Sequence, residues 1–242
     1  AGGNWTQVKS FPGIPANTYI SDILPDRFNE NVVYATFNNH KRDDFKPYVL
    51  KSTDKGKTWT SISNNLPENG SAWTIEQDYV NPDLLFVGTE FGVHFSVDGG
   101  KEWVAMSSGL PPIAVRDIQI QQRENDLAIA TFGRGFYILD DYTPLREFRK
   151  EMLEQDAVIF PVKDAKMFIQ TGSKDAQGDN FYFSKNPPYG ATFTYYIKEV
   201  PKTLKEIRME KEKELFKDKK PIPQPGIEEL RAEKQERAPY LV

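Results

Sequence analysis

Short apolar runs alternate with polar turns along the first 145 residues of the chain. Three segments of 17 residues align without a gap. In each, a β-rich start is followed by a polar turn and by a second apolar run that ends in Ala-Thr or Gly-Thr. These segments are Ile20 to Thr36, Trp73 to Thr89 and Val115 to Thr131. Two short apolar runs on either side of a polar turn are typical of a β-hairpin. The pattern therefore predicts three hairpins.

A third strand and then a second kind of turn are predicted after each hairpin. In two of the three repeats this turn has the pattern Ser-x-Asp-x-Gly-x-x-Trp. Its members are Ser52, Asp54, Gly56 and Trp59 in the first repeat, and Ser96, Asp98, Gly100 and Trp103 in the second. Ser and Asp oxygens accept backbone N–H groups across a turn, Gly supplies a positive φ, and Trp covers the hairpin with an apolar ring. We therefore expect these residues to be structural and not general acids.

Four short antiparallel strands in a unit of roughly 44 residues predict the blade of a β-propeller. The predicted fold class is all-β, with about three four-stranded blades over residues 1–143. Ala1 to Trp5 resemble the end of a further repeat, and Asp140-Asp141 stands where the third repeat should have its Ser-x-Asp turn. These features favour a fragment that holds the last blades of a ring. Because a closed propeller has at least four blades, we expect the missing remainder or another chain to complete it.

The pattern changes after the repeats. Residues 144–155 predict a short helical linker, with Pro144 at its first turn. Residues 156–242 begin with β-like runs (AVIFPV, KMFIQ, FYFS, ATFTYYIKEV) and predict the start of an immunoglobulin-like β-sandwich. Residues 201–239 are dominated by charges of both signs, and predict a solvated insertion of two polar helices, Lys202 to Lys217 and Ile227 to Arg237. Tyr240 to Val242 are expected to return to the sheet.

The first repeat is longer than the others because of an insertion at residues 38–47. A surface extension of a hairpin is the simplest interpretation, since loops accept added residues at small free-energy cost. The alternative is a loop that contacts a ligand or a partner.

Composition excludes several classes of function. The net charge of -4 gives no reason to expect nucleic acid or an anionic membrane as partner. Without cysteine there is no disulfide or thiolate metal site. The two histidines, His40 and His94, lie in different repeats and suggest no metal site or catalytic triad. No apolar run approaches the ~20 residues of a membrane span, and no cofactor motif is present.

Two runs, AWTIEQDYVNPDLLFVGTEFGVHFSVDGGKEW and LPPIAVRDIQIQQRENDLAIATFGRGFYILDDYTPLREF, resemble large bacterial proteins with a sortilin-type BNR (Asp-box) propeller. Members of that family are often labelled glycosyl hydrolases. In that family the propeller precedes a β-sandwich, and NPPYGATFTYYIKE fits the junction. The resemblance implies a periplasmic, extracellular or outer-surface location. It does not fix an activity, because one fold supports many functions.

The candidate catalytic residues are Asp117 and Asp22, which occupy the same place on two predicted inner strands. Inverting glycosidases use two carboxylates ~6.5–9.5 Å apart. GLPPIAVRDI resembles the segment that carries a catalytic Asp in xyloglucanases, which would point to Asp117. The alternative is that both carboxylates face water in the channel.

The candidate ligand-binding residues are Arg134 and Arg116, by resemblance to the arginines with which sialidases grip a carboxylate. The N-terminal arginine motif of sialidases is absent from this sequence. For Arg134 the alternative is a tight connection in which Gly133 and Gly135 serve backbone geometry.

Three functions follow as hypotheses. The leading one is a non-catalytic, exported module that binds protein or polysaccharide through its strand-end loops. The second is a xyloglucanase-like or sialidase-like glycoside hydrolase whose active site is shared with missing blades. The third is a scaffold subunit of a surface complex, with the charged helices as its contact.

Overall fold

The computed structural model describes residue 3, residues 5–165, residue 167 and residues 189–236. The chain forms two compact units, Ala1–Arg149 and Lys150–Val242. The predicted linker at residues 144–155 thus falls on both sides of this division. Part of the segment that resembles a further repeat, Ala1, Gly2 and Asn4, lies outside the described residues.

Three antiparallel sheets follow one another along the first unit, each with its strands side by side in chain order. The first sheet contains β1 (Tyr19–Pro25), β2 (Val33–Asn39), β3 (Asp44–Ser52) and β4 (Thr60–Ser61). The second contains β5 (Ala72–Gln77), β6 (Leu85–Thr89), β7 (Gly92–Ser96) and β8 (Val104–Met106). The third contains β9 (Val115–Gln121), β10 (Asp126–Thr131) and β11 (Phe136–Leu139).

The first strands of the sheets contact one another, β1 with β5 and β5 with β9. Sheets that pack side by side through their first strands are the blades of a propeller. The prediction of an all-β fold with a partial propeller is therefore confirmed. The third blade has three strands within the described residues, since no strand follows β11 in the first unit.

Apolar side chains fill the space between neighbouring blades. Tyr34, Val49, Ile75, Val87 and Trp103 belong to the cluster of the first and second blades. Phe86, Val93, Val115, Ile118 and Tyr142 belong to the cluster of the second and third blades. The buried residues form short continuous runs, as in β6, where all five residues are buried, and such apolar runs between polar turns are what located the strands in the sequence.

Blades two and three are in close contact at Gly88 on β6. A Cβ atom added to Gly88 would lie 2.7 Å from Thr74 Cγ2 and 2.9 Å from the Val115 carbonyl oxygen. Real Cβ atoms do not come so close to other heavy atoms, so this position requires glycine.

The strand register corrects the gap-free alignment of the three repeats by one residue. Thr36 pairs with Asp22, whereas Thr89, its counterpart by sequence, pairs with Ala72. The residue of the second blade that corresponds to Asp22 is therefore Thr74, which pairs with Gly88, and not Ile75. In the third blade Asp117 pairs with Ala130. The turns of the first two hairpins have the same length, since Pro25 pairs with Val33 and Gln77 with Leu85, so the whole second hairpin is displaced by one residue along the ungapped alignment. The turn of the third hairpin differs in length by one residue, since Leu24 pairs with Tyr34 but Gln119 with Ala128.

The two Ser-x-Asp-x-Gly-x-x-Trp turns share one hydrogen-bond arrangement. Asp54 Oδ1 accepts the backbone N–H groups of Lys57 and Thr58, at 2.9 and 2.8 Å. Asp98 Oδ1 does the same for Lys101 and Glu102. Hydrogen bonds from the Thr58 hydroxyl and backbone lower the pKa of Asp54 to about 2. These carboxylates hold the turn in its folded form.

The third turn follows β11 and has a different arrangement. Asp141 Oδ1 accepts from the hydroxyl of Thr143 at 2.6 Å, while the Tyr142 hydroxyl donates to Asp78 Oδ1 at 2.5 Å. Arg146, on the short helix α1 (Pro144–Glu147), binds the same Asp78 carboxylate through two nitrogens, at 2.8 and 2.9 Å. After the third blade, a buried ion pair between Arg146 and Asp78 of the second blade thus lies where the first two blades have a Ser-x-Asp turn.

The second unit contains one short antiparallel pair, β12 (Ala157–Ile159) with β13 (Tyr195–Ile197). This pair is the part of the predicted sandwich that lies within the described residues; FYFS, most of KMFIQ and the expected return at Tyr240 to Val242 lie outside them.

Both predicted polar helices are present in the second unit, as α2 (Leu204–Lys217) and α3 (Ile227–Gln235). The Thr203 side chain and Glu206 form a capping box that begins α2. Arg208 joins the helices through two hydrogen bonds to Glu233. None of the helices in the described residues has the length and apolar composition that a bilayer-spanning helix needs.

Candidate ligand-binding rim

The blades present two rims of different character. At one, which we call the turn rim, the first hairpin turns meet the Ser-x-Asp turns: the Gly99 amide donates to the Asp83 carbonyl, and that of Lys55 to Asn31. The opposite, strand-start rim contains the beginnings of β1, β5 and β9 together with the connections at residues 40–43, 90–91 and 132–135. There the Glu90 amide donates to Ser71, and Phe132 to Ala114.

A β-bulge lies near the beginning of the first strand of every blade. The bulged residues are Ser21 in the first blade, Trp73 in the second and Arg116 in the third. A bulge inserts a residue into a strand and redirects its side chain, and bulges are over-represented next to functional sites. All three bulged residues therefore belong to the strand-start rim.

Side chains of all three blades stack into a column on this rim. The Arg116 guanidinium lies 3.4 Å from the centroid of the Trp73 ring and 5.2 Å from that of Phe132. The His40 ring lies 5.2 Å from the Trp73 ring. Glu90 accepts a hydrogen bond from Trp73 Nε1 at 2.8 Å and lies 4.0 Å from Arg116. Contacts of this cation–π kind each contribute about 0.5–2 kcal/mol.

A chain of hydrogen bonds orients His40. The Ser21 hydroxyl donates to the Ala72 carbonyl at 3.0 Å, so its oxygen accepts from Asn38 Nδ2 at 2.8 Å. Asn38 Oδ1 then faces His40 Nδ1 at 2.7 Å. Since a side-chain amide oxygen can only accept, the hydrogen must lie on Nδ1 of His40. Nε2 makes no hydrogen bond within the described part of the chain.

A pocket of about 620 Å³ opens beside the column. It is lined by Asn17, Tyr19, Asn38, Asn39, His40, Lys41, Arg42 and Trp73. Asn38 to Arg42 of the insertion form part of this lining, and His40 to Arg42 make a single 3-10 turn there. The insertion therefore contributes one wall of the pocket.

The carboxylate of Asp44 lies behind this turn. It accepts from Asn39 Nδ2 at 3.1 Å and from the Tyr48 hydroxyl at 2.8 Å. Burial raises the pKa of Asp44, but the hydrogen bonds from Tyr48 and Asn39 outweigh burial, and the pKa lies below its usual value. Burial and the bond to Asp44 raise the pKa of Tyr48 to about 12. Asp44 therefore remains charged and Tyr48 neutral at pH 7.

The two candidate catalytic acids have different surroundings. Asp22 is half-buried, and its Oδ2 accepts from the Thr74 hydroxyl at 2.9 Å and the Ile75 amide at 3.1 Å, so it links β1 to β5. Asp117 is exposed, and its Oδ1 accepts from Gln119 Nε2 at 3.2 Å. The two residues lie on β1 and β9, with β5 between these strands.

The two candidate anion-binding arginines are separated as well. Arg116 stacks in the column, and its Nε is buried without a hydrogen-bond partner among the described residues. Arg134 is exposed in the connection between β10 and β11, where Gly133 and Gly135 have φ of 89° and 70°. The described residues contain no group of three or more metal-ligating side chains.

Sequence reasoning did not single out Trp73, and it considered His40 only as a possible metal ligand. Both belong to the rim through contacts between blades, Trp73 with Arg116 and His40 with Trp73. The available indication was local: an insertion that contains His-Lys-Arg next to two asparagines.

No protein-family profile and no curated protein matches the chain. Among solved structures, it is similar to the GH74 enzyme of Niastella koreensis (22% identity, TM-score 0.42, covering 50% of this chain and 21% of that protein). It is also similar to the GH74 xyloglucanase of Xanthomonas campestris (17% identity, TM-score 0.43, covering 57% of this chain and 22% of that protein). A third similar structure is YCF48 bound to D1 peptide (16% identity, TM-score 0.38, covering 52% of this chain and 37% of that protein). The chain spans less than half of the length of each of these proteins. The activities in their names are those of the similar proteins.

Proposed function

We propose that the chain is a binding module that holds a protein or polysaccharide ligand on its strand-start rim. One observation carries the proposal: a bulge recurs near the start of every first strand and directs Ser21, Trp73 and Arg116 to the same rim. Bulges are over-represented next to functional sites, where they redirect a side chain.

Exposed aromatic side chains on the rim support a binding role. Tyr19 and Phe132 each expose 69% of their surface, and Phe91 exposes 56%. Large apolar side chains that stay in water on a folded surface, next to a pocket with polar groups, are typical of ligand sites.

We also propose that the chain comes from an exported protein of the sortilin-type BNR class. The two Ser-x-Asp-x-Gly-x-x-Trp turns with equal hydrogen bonds support this assignment. An exported location would place the rim where polysaccharides and surface proteins are encountered.

A glycoside hydrolase is the second candidate, favoured by the exposure of the Asp117 carboxylate near the strand-start rim. Inverting hydrolysis needs a second carboxylate ~6.5–9.5 Å away. Asp22 is already hydrogen-bonded to the second blade, so another carboxylate would have to serve.

The binding proposal is tested by affinity electrophoresis in gels that contain one polysaccharide each, with a peptide array run in parallel. Tyr19→Ala and Phe132→Ala should abolish or strongly reduce binding to whichever ligand the wild type retains. Phe28→Ala is the matched control, because Phe28 is 48% exposed and lies at the turn rim. If Phe28→Ala weakens binding as much as Tyr19→Ala and Phe132→Ala do, the ligand does not bind at the strand-start rim and the proposal is wrong.

A further inference from the structure

We infer that the pocket on the strand-start rim selects an acidic saccharide, a sugar that carries a carboxylate or a sulfate. The inference rests on the proposed function, since it names the ligand of the same rim. It follows from the charges, the open hydrogen-bonding groups and the size of the pocket.

The pocket wall is basic in a chain whose net charge is -4. His40, Lys41 and Arg42 are consecutive on the 3-10 turn, and the eight lining residues include no carboxylate. Arg42 donates to neutral oxygens, the Asn17 carbonyl and Asn39 Oδ1. The Lys41 ammonium makes no hydrogen bond or ion pair within the described residues. Among the residues that the structure describes, no carboxylate is hydrogen-bonded to either cation.

Three carboxylates lie close to the pocket: Asp43, Asp44 and Glu90. Asp43 follows Arg42 directly and is exposed, and the other two have partners. Asp44 is held by Asn39 and Tyr48, and Glu90 lies between Trp73 and Arg116. Arg116 offsets Glu90, and three cations, Lys41, Arg42 and Lys46, face the two carboxylates Asp43 and Asp44. A ligand anion in this pocket therefore meets a net attraction, at distances where water screens it only in part.

The remaining open groups are neutral and suit hydroxyls. The Asn17 side-chain amide, the Tyr19 hydroxyl and Nε2 of His40 make no hydrogen bond within the described part of the chain. Together they offer both donors and acceptors, as a sugar with several hydroxyls requires. The ring of Tyr19 adds an exposed apolar face beside them. The hydrogen-bond chain through Asn38 holds His40 in place before a ligand arrives.

The dimensions favour a short stretch of saccharide over a folded partner. A volume of about 620 Å³ lies within the range of small-molecule pockets, which enclose most of their ligand's surface. An acidic peptide could satisfy the cations, but it would leave the cluster of neutral hydroxyl-binding groups without a use.

The test is isothermal titration of the 242-residue chain with matched ligands. A galacturonate trimer is compared with its methyl ester, and a sulfated galactose trimer with the unsulfated sugar. We expect either acidic form to bind at least about tenfold more tightly than its neutral counterpart, as a charge-assisted hydrogen bond implies. Lys41→Gln should remove most of that difference, while Lys57→Gln, on an exposed lysine of the turn rim, should not. Added salt should weaken the acidic forms alone.

Four outcomes separate this inference from the proposed function. Equal affinity for acidic and neutral sugars, with loss in Tyr19→Ala, overturns the acidic ligand and leaves the rim as the binding site. A preference for acid that persists in Lys41→Gln also overturns the inference. Binding of a hexaglutamate peptide but of no sugar makes the ligand a protein, and again only the inference fails. Binding that Tyr19→Ala does not affect removes the proposed function as well.

Discussion

The ion pair that closes the third blade gives the sharpest prediction about stability. The Asp78 side chain is 0% exposed and that of Arg146 is 12% exposed. Asp78 accepts three hydrogen bonds from two nitrogens of Arg146, one from Tyr142 and two from the backbone amides of Val80 and Asn81. Arg146→Ala removes the cation and leaves the carboxylate buried.

Breaking a buried ion pair by removing one partner destabilises a protein by about 3–5 kcal/mol. The lower end of that range, about 3 kcal/mol, is expected here because Tyr142 and two amides still donate to Asp78. For a chain of this length the loss corresponds to a fall in Tm of about 6–12 °C. Arg123→Ala is the control, since Arg123 is 80% exposed and should change stability by about 0.5 kcal/mol or less.

The pH dependence distinguishes an ion pair from lost packing. In the wild type, burial raises the pKa of Asp78, but the hydrogen bonds from Arg146 and Tyr142 outweigh it and the pKa is lowered. The stabilisation is therefore complete above the unfolded pKa of about 3.9 and is lost as pH falls through the folded pKa. Without Arg146, burial, the largest influence on Asp78, is expected to raise the folded pKa above the unfolded value, so the variant should lose stability as pH rises from the unfolded pKa of about 3.9 through the folded pKa. The difference between wild type and variant should thus be larger at pH 7 than at pH 4.

Urea unfolding followed by tryptophan fluorescence measures this difference, because all four tryptophans lie in the first unit. A loss below about 1 kcal/mol at pH 7, or a loss that does not change between pH 7 and pH 4, would refute the reasoning.

Two further predictions concern the blade contact and the chemistry. Gly88→Ala should destabilise the first unit by about 1–3 kcal/mol, because its Cβ would lie 2.7 Å from Thr74 Cγ2. The control is Gly70→Ala, which should be nearly neutral in the same urea assay, because its Cβ would have its nearest neighbour, the Pro67 carbonyl oxygen, at 3.6 Å. If the chain hydrolyses any glycan of a panel, measured as released reducing ends, Asp117→Asn should abolish the activity and Asp22→Asn should chiefly lower stability. Equal hydrolysis by wild type and Asp117→Asn would show that Asp117 is not the acid.

The blades themselves could be predicted because their determinants are local. Short apolar runs between polar turns place the strands. A Ser-x-Asp-x-Gly-x-x-Trp turn satisfies its hydrogen bonds within seven residues, as from Ser52 to Thr58. The charged helices follow the same rule, since Thr203 and Glu206 cap α2 from three residues apart. The residues that determine each of these elements are close neighbours in the sequence.

The candidate site was decided by contacts between blades. Arg116 meets Trp73 across 43 positions of sequence, and Asp22 meets Thr74 across 52. Whether such residues meet depends on the strand register, and a bulge or a turn that differs by one residue changes the register and therefore the face on which a side chain lies. Local patterns tolerate that change, which is why the ungapped alignment of the repeats was off by one residue. By itself the sequence determined three blades and their turns, and the tertiary structure decided which side chains share a rim.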